Sequence, residues 1–501
     1  MRTVKYICYC IAALLLLGAC HKDKGNYTYH DVPALYVDTA GTQTRFEVFQ
    51  SQDKVTINPK LIYDGNASQL SHLWRLYVAT NVFDTLSRYK QIDVTIPRPP
   101  GTYTLEYEAV DSTGRKALMQ YTVVVVPPIP SGWMVAYETA AGNTDVDVIR
   151  APEFITGVKD TVMRNVYSKR NGATMPGKPV AIYYLTTAFT HLYTDKTGEK
   201  LQNTDFGFVQ NYQQMFLLGN PPATPAPQGF YPGSFNGGML IDNGGVYWTS
   251  ENSYVGKVTV DAKGYEAAPF IYTQYAKQGG FYDQLNRRFV VIEQQTSQAS
   301  LYPNADATAR FNLNNIGKQL LYIERGFGEN PSPAVDPYKY SIFKDVSGNG
   351  RYLYVINFQK PATPDVAAVD ITTAPDIQDA QYFAVSNLGP AMLYATAQKV
   401  YNFQVNTASN TISTPAVAFQ APAGEAITCM RLLKGMATFG TGGILPDMDS
   451  RFLYIATWDA AAGTGKVYLY AANITSGQLG AAPLKVWTVG GKVGDMNYKR
   501  S

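Results

Sequence analysis

One short strand pattern returns through the second half of the chain, and it sets the class of fold. A basic or polar residue is followed by an aromatic or apolar one, then by Leu-Tyr or its equivalent and further apolar residues. It appears as Arg287-Arg288-Phe289-Val290-Val291-Ile292, Gln319-Leu320-Leu321-Tyr322-Ile323-Glu324 and Arg351-Tyr352-Leu353-Tyr354-Val355-Ile356. Ala391-Met392-Leu393-Tyr394-Ala395-Thr396 and Arg451-Phe452-Leu453-Tyr454-Ile455-Ala456 continue it, with starts 32, 32, 40 and 60 residues apart. Hairpin-like strands accompany them at Lys257-Val258-Thr259-Val260-Asp261, Lys399-Val400-Tyr401-Asn402-Phe403 and Lys466-Val467-Tyr468-Leu469-Tyr470. Gly-Gly pairs precede apolar segments at Gly237-Gly238, Gly244-Gly245, Gly279-Gly280 and Gly442-Gly443. Strand and turn repeating at roughly 40–50 residues is the pattern of a β-propeller, one four-stranded blade per unit. The stretch from Gly132 onward holds about seven to nine such units. With an insertion at 220–228, rich in proline and alanine, seven blades are expected. The rival, two or three further sandwiches, would not repeat Leu-Tyr-apolar at such short distances.

A different domain precedes this one. Segments 46–49 and 55–62 are rich in β-formers, and Leu73-Trp74-Arg75-Leu76-Tyr77 is a strand centred on a tryptophan. Residues 100–111 alternate strictly, placing Tyr103, Leu105, Tyr107 and Ala109 on one face. Asp111-Ser112-Thr113-Gly114 supplies a turn and 117–126 the partner strand. Together they predict an immunoglobulin-like β-sandwich of the PKD branch over 31–127, with Trp74 where such sandwiches bury a tryptophan. Pro127-Pro128-Ile129-Pro130 cannot continue a sheet ladder and marks the boundary, leaving 131–501 to the propeller. The predicted fold class is therefore all-β.

The first twenty residues address the chain to an envelope. Arg2 and Lys5 precede an apolar run of 11 residues, Ile7 to Leu17, and Leu16-Leu17-Gly18-Ala19-Cys20 follows the pattern of a lipoprotein signal. A membrane span needs roughly 20 apolar residues. Residues 1–19 are read as the signal peptide, Cys20 as the lipid attachment site and 20–30 as a polar tether. Cys8 and Cys10 leave with the signal, so Cys429 is the lone thiol of the mature chain, read as a small buried apolar group rather than a disulfide partner. Net charge is +3 for the whole chain and +1 without Arg2 and Lys5, 40 basic residues against 39 acidic. So small a charge draws neither nucleic acid nor an anionic surface.

Catalytic equipment is sparse. The mature chain holds His21, His30, His72 and His191, and only His191 falls in the propeller. That is too few for a multi-histidine metal site, and a Ser-His-Asp triad would have to be built on His191. No nucleotide-binding, serine-hydrolase or zinc-protease motif occurs. Asp345, Ser347 and Asn349, in Asp345-Val346-Ser347-Gly348-Asn349-Gly350, resemble the start of a calcium loop but lack its closing glutamate, and a tight polar turn is required there in any case. The expectation is a non-catalytic protein without cofactor. The alternatives are a propeller enzyme acting on glycans through a carboxylate pair and a structural or adhesive surface protein. Tyr247, Trp248, Tyr254 and Trp458 are the candidate ligand-binding residues, planar side chains that could stack on sugar rings or grip a peptide at a propeller mouth.

Two segments carry a family resemblance. Cys20-His21-Lys22-Asp23-Lys24-Gly25-Asn26-Tyr27-Thr28-Tyr29 and Gly132-Trp133-Met134-Val135-Ala136-Tyr137-Glu138 resemble the PKD-like family lipoproteins of Bacteroidetes. The resemblance implies an accessory lipoprotein of the outer membrane, on the cell surface, serving a SusC/SusD-type nutrient-uptake pair and binding a glycan or peptide. It brings no catalytic residues. One departure is the run His21-Lys22-Asp23-Lys24, with a single acid where surface display in these bacteria goes with several.

Overall fold

The computed structural model describes residues 34–500 except 51–52, 156–157, 186–187, 218–219, 233–236, 251–252, 275–276, 295, 329–337 and 435–447. The signal peptide, Cys20, the tether and the Gly442-Gly443 pair lie outside the described residues. The chain divides into two compact units, one ending at Val125 and one beginning at Val126.

In the first unit a five-stranded sheet accompanies two two-stranded sheets around one apolar core. The long hairpin Gly101–Val110 and Lys116–Val126 is its spine, and Ser71–Ala79 pairs alongside. Alternation sorts the side chains by face. Trp74, Leu76, Leu105, Tyr107 and Ala109 enter the core, whereas Arg75 sits on the opposite face between Glu106 and Glu108, at 2.8 and 2.9 Å. Trp74 is wholly buried against Tyr107 and Tyr121, and its Nε1 donates to the Tyr89 carbonyl at 3.0 Å. The hairpin turn is held by Asp111. Burial opposes its charge, but hydrogen bonds from Thr113 and Arg115 outweigh that and bring the carboxyl down to about 2. The β-rich segment 55–62 forms parts of two strands, Lys54–Ile57 and Leu61–Tyr63, in different sheets. Pro59 between them has no N–H for a ladder.

The second unit is a seven-bladed propeller. Six blades run consecutively outward, beginning with the strands Pro179–Tyr184, Pro227–Pro232, Ala267–Tyr272, Gln319–Arg325, Tyr382–Val385 and Glu425–Leu432. Blade one is composite: Gly132–Glu138, Thr144–Arg150 and Thr161–Met163 are completed on the inside by the last strand, Lys492–Lys499. The seven inner strands contact one another in a closed circuit, Lys492–Lys499 touching both Pro179–Tyr184 and Glu425–Leu432.

Apolar clusters fill the seven spaces between neighbouring blades. This explains the recurring motif. A middle strand has a blade against each face, so successive residues serve opposite neighbours. On Phe452–Asp459, Leu453 and Ile455 pack toward blade six while Tyr454 and Ala456 pack toward blade one. On Arg351–Ile356, Leu353 and Val355 face blade six, and Tyr354 and Ile356 face blade four. The motif is thus a mark of two-faced burial and not of one position per blade. It falls on the third strand of blade four, the first and third of blade five, and the second of blades six and seven. That is why its spacing is unequal. Gly244 of one Gly-Gly pair serves a two-residue hairpin with Asn243, both at positive φ.

Two features lock the closure. Trp133 on blade one stacks on Tyr454 of blade seven, with centroids 3.9 Å apart. Inner strands also approach so closely that a Cβ on Gly494 would lie 2.6 Å from the Pro179 carbonyl oxygen. Trp133→Ala is expected to cost about 3–5 kcal/mol, and Gly494→Ala about 1–3 kcal/mol. Urea denaturation of the full chain, followed by circular dichroism, measures both.

Lys499 makes the closure sensitive to pH. Its side chain is buried, Nζ donates to the Ile129 carbonyl at 2.7 Å, and burial, reinforced by Arg150, pushes its pKa down to about 7. The unfolded lysine titrates near 10.4, so between these values the unfolded chain holds the extra proton and stability rises with pH. Below pH 7 both states are protonated and the contribution is flat. The stability difference between wild type and Lys499→Met should therefore shift in favour of wild type as pH rises from 7 to 10. A gap constant across thermal melts in that range contradicts this.

Candidate functional site in the propeller channel

Inner strands carry aromatic residues whose neighbours in sequence face different surroundings. In Phe230-Tyr231 and Tyr382-Phe383 the phenylalanine is buried between blades and the tyrosine is only half-buried. Tyr231 of blade three lies within electrostatic reach of Arg431 of blade seven, Asp495 of blade one and Glu324 of blade five. Tyr322 of blade five likewise feels Arg431 and Tyr231. Groups on blades one, three, five and seven can meet only across the ring, so these side chains line its channel. Tyr183 is within electrostatic reach of Asp495, and Tyr382 of Arg431. Phe270 of blade four bridges Tyr231 and Tyr322, with centroids 6.4 and 5.6 Å away, making an aromatic arc across three blades.

Two ion pairs complete the wall. Arg431 donates from Nη2 and Nε to Asp495 Oδ1 at 2.6 and 3.2 Å, and Asp495 Oδ2 accepts from the Ile182 backbone N–H at 2.9 Å. Blades seven, one and two are tied through one carboxylate. Glu324 Oε2 accepts from the Tyr322 hydroxyl at 2.6 Å and the Val385 N–H at 3.1 Å, and pairs with Lys434 at 2.8 Å. Burial works against the charge on Arg431, but Asp495 outweighs it and holds the guanidinium charged. Burial lowers Lys434, opposed by Glu324. Burial raises the channel phenols, Tyr382 to about 12, so at neutral pH they are protonated hydrogen-bonding groups.

The candidates picked from the sequence lie elsewhere. Tyr247, Trp248 and Tyr254 are buried in the cores between blades two, three and four, which corrects the expectation that they offer stacking faces. Tyr254 meets the Tyr193 hydroxyl at 2.5 Å, and Trp248 Nε1 donates to Ser297 Oγ at 2.9 Å. Trp458 is half-buried at the end of the second strand of blade seven, outside the inner ring. Asp345, Ser347 and Asn349 lie in the tight polar turn that the sequence requires there. Asp345 pairs with Lys318 at 2.9 Å and accepts from Tyr352 at 3.3 Å, so an ammonium stands where a cation would, and the segment is the hairpin turn before Arg351–Ile356. His191 is buried against Phe230, with burial and Lys200 pushing it down to about 3. Burial likewise pushes the Cys429 thiol up to about 12. Among the described residues no three His, Cys, Asp or Glu side chains gather where they could hold a metal.

The channel residues were missed because only the ring brings them together. The available signal was an aromatic beside the apolar core residue of the opening strands of blades two to six, at Tyr183, Tyr231, Phe270, Tyr322 and Tyr382.

Comparison with known proteins bears on the N-terminal third. Residues 20–179 match the model of the PKD-like family. The PKD-like match thus runs through the sandwich and the first three strands of blade one, stopping where blade two begins. No curated protein matches the chain. Among solved structures it is similar to a quinonprotein alcohol dehydrogenase-like protein from Bacteroides thetaiotaomicron, at 12% identity and a TM-score of 0.42, covering 94% of this chain and 100% of that one. It is similar to the dihydro-heme d1 dehydrogenase NirN at 10% identity and 0.41, covering 78% and 72%. The Dos1 propeller is similar at 11% and 0.40, covering 74% and 93%.

Asp495→Asn removes the charge that Arg431 and Ile182 both use. With Arg431 43% exposed, the expected loss is about 1–2 kcal/mol. A double-mutant cycle with Arg431→Met, read by urea denaturation, should return a coupling of that size. Independent effects of the two changes would contradict the pairing.

Proposed function

We propose that this protein is a lipid-anchored, non-catalytic accessory of a SusC/SusD-type uptake pair, capturing a glycan or peptide in the propeller channel. The observation that carries the reading is the convergence of five inner-strand aromatics with Arg431 on one channel. Half-exposed aromatic faces with a few placed polar groups suit a ligand site, and each of these rings also packs on one side against a core between blades. The non-catalytic reading is supported by the ion pairs. The channel carboxylates Asp495 and Glu324 are each tied to a basic side chain, Arg431 and Lys434, and each also accepts from a backbone N–H.

The anchor rests on the signal pattern ending at Cys20. A lipid on Cys20 would hold the propeller beside a transporter, raising its effective concentration without a strong interface. The mature protein, screened against neutral and acidic oligosaccharides and against peptides, is expected to bind one class. Loss of that binding in Tyr322→Ala, with the fold retained, would place it in the channel. Cells labelled with a radioactive fatty acid should mark the wild type, whereas Cys20→Ser should lose the label and leave the membrane fraction. A variant that stays embedded would sink the anchor. Failure to bind any of these ligands or to co-purify with the transporter pair would sink the accessory role.

A further inference from the structure

The polar groups of the channel are not evenly spent, and the imbalance points to the charge of the ligand. Asp495 accepts on both oxygens, from Arg431 on one and from the Ile182 N–H on the other. Glu324 Oε2 takes a phenol, a backbone N–H and the Lys434 ammonium. Arg431 is different. Asp495 occupies only the Nε–Nη2 side of the guanidinium, and among the described residues Nη1 donates only to the adjoining Met430 carbonyl, at 3.4 Å. Its side chain stays 43% exposed while Asp495 is 9% exposed. A charged, planar donor is thus held rigidly by one edge, with its other end turned to accessible space.

We infer that this channel takes an acidic oligosaccharide, with a uronate carboxylate on the free end of Arg431 and sugar rings against the arc of Tyr231, Phe270 and Tyr322. The inference rests on the capture reading above and names its ligand class. Guanidinium donors match carboxylate oxygens in geometry and charge. The aromatic arc supplies flat apolar faces for the C–H faces of pyranose rings, and Tyr382 lies within electrostatic reach of Arg431. An extended peptide is the poorer fit. It would need backbone donors on the inner strands, and those of Ile182 and Val385 are already given to Asp495 and Glu324.

The test compares ligands before variants, so it does not depend on a mutant folding. Calorimetry with the full mature chain would use trigalacturonate, its methyl ester, and a peptide with a free or an amidated C-terminus. The acid is expected to bind about 10- to 100-fold more tightly than the ester, the worth of a charge-assisted hydrogen bond. Arg431→Met should abolish that preference, and Arg431→Lys, which keeps the charge but loses the fork, should retain only part of it. Equal binding of acid and ester would overturn the uronate assignment while leaving ligand capture standing. Selective binding of the free-carboxylate peptide, with no binding of trigalacturonate, would also overturn it. If no oligosaccharide or peptide binds and the transporter pair does not co-purify, the capture reading falls with it.

Discussion

The pairing of Lys492–Lys499 with Gly132–Glu138 is what makes a ring of the second unit. Without it, blade one has no inner strand and the inner edge of Gly132–Glu138 is unpaired, leaving backbone donors and acceptors exposed. The core between blades seven and one also loses side chains, since Val493 and Met496 of the last strand belong to it. The strand supplies Asp495 as well, so the contact that closes the fold also positions Arg431 in the channel. Fold and candidate site share one dependency.

That dependency accounts for the buried ionisable groups near the seam. Lys499 and Asp495 sit on the closing strand, and Asp147 of blade one accepts from the Gly490 N–H just before it. Burial raises Asp147, while Arg164 and the backbone hydrogen bonds from Asn165 and Gly490 pull it back. Apolar contacts alone would allow the strand to slide by two residues and still present an apolar face. A buried charge placed out of register would lose its partners at a cost of several kcal/mol. The seam is therefore specified by polar contacts and stabilised by apolar ones.

Most of the architecture was legible in the sequence because burial leaves a period. Strict alternation gave the hairpin 101–126 and its core face, and double-faced apolar runs such as Arg351–Ile356 gave the propeller class. What the alternation does not carry is which strand of a blade is being read, so the unequal spacing of the motif is explained only once its wandering among strand positions is seen. The same limit hid the site. Tyr247-Trp248 stood out because aromatic density is high there, yet that density serves two adjoining cores. Arg431 and Asp495, 64 residues apart, give no local sign of meeting. Their convergence is a property of closure, and no window of sequence contains it.

The extent of the PKD-like match follows the same physics. Residues 20–179 include three strands that cannot be a folding unit alone, because Gly132–Glu138 needs the last strand as its partner and its two faces need blades two and seven. Met134 and Ala136 pack toward blade two, while Trp133 and Val135 pack toward blade seven, which is joined to them only after some 290 further residues. A segment carrying that alternation commits the chain beyond it to supply both neighbours. Gly132-Trp133-Met134-Val135 is therefore better understood as the seam of a ring than as the end of a sandwich. Its glycine fits that place, since a Cβ on Gly132 would lie 2.5 Å from Val148 Cγ1 and 2.9 Å from the Ile149 carbonyl oxygen on the neighbouring strand.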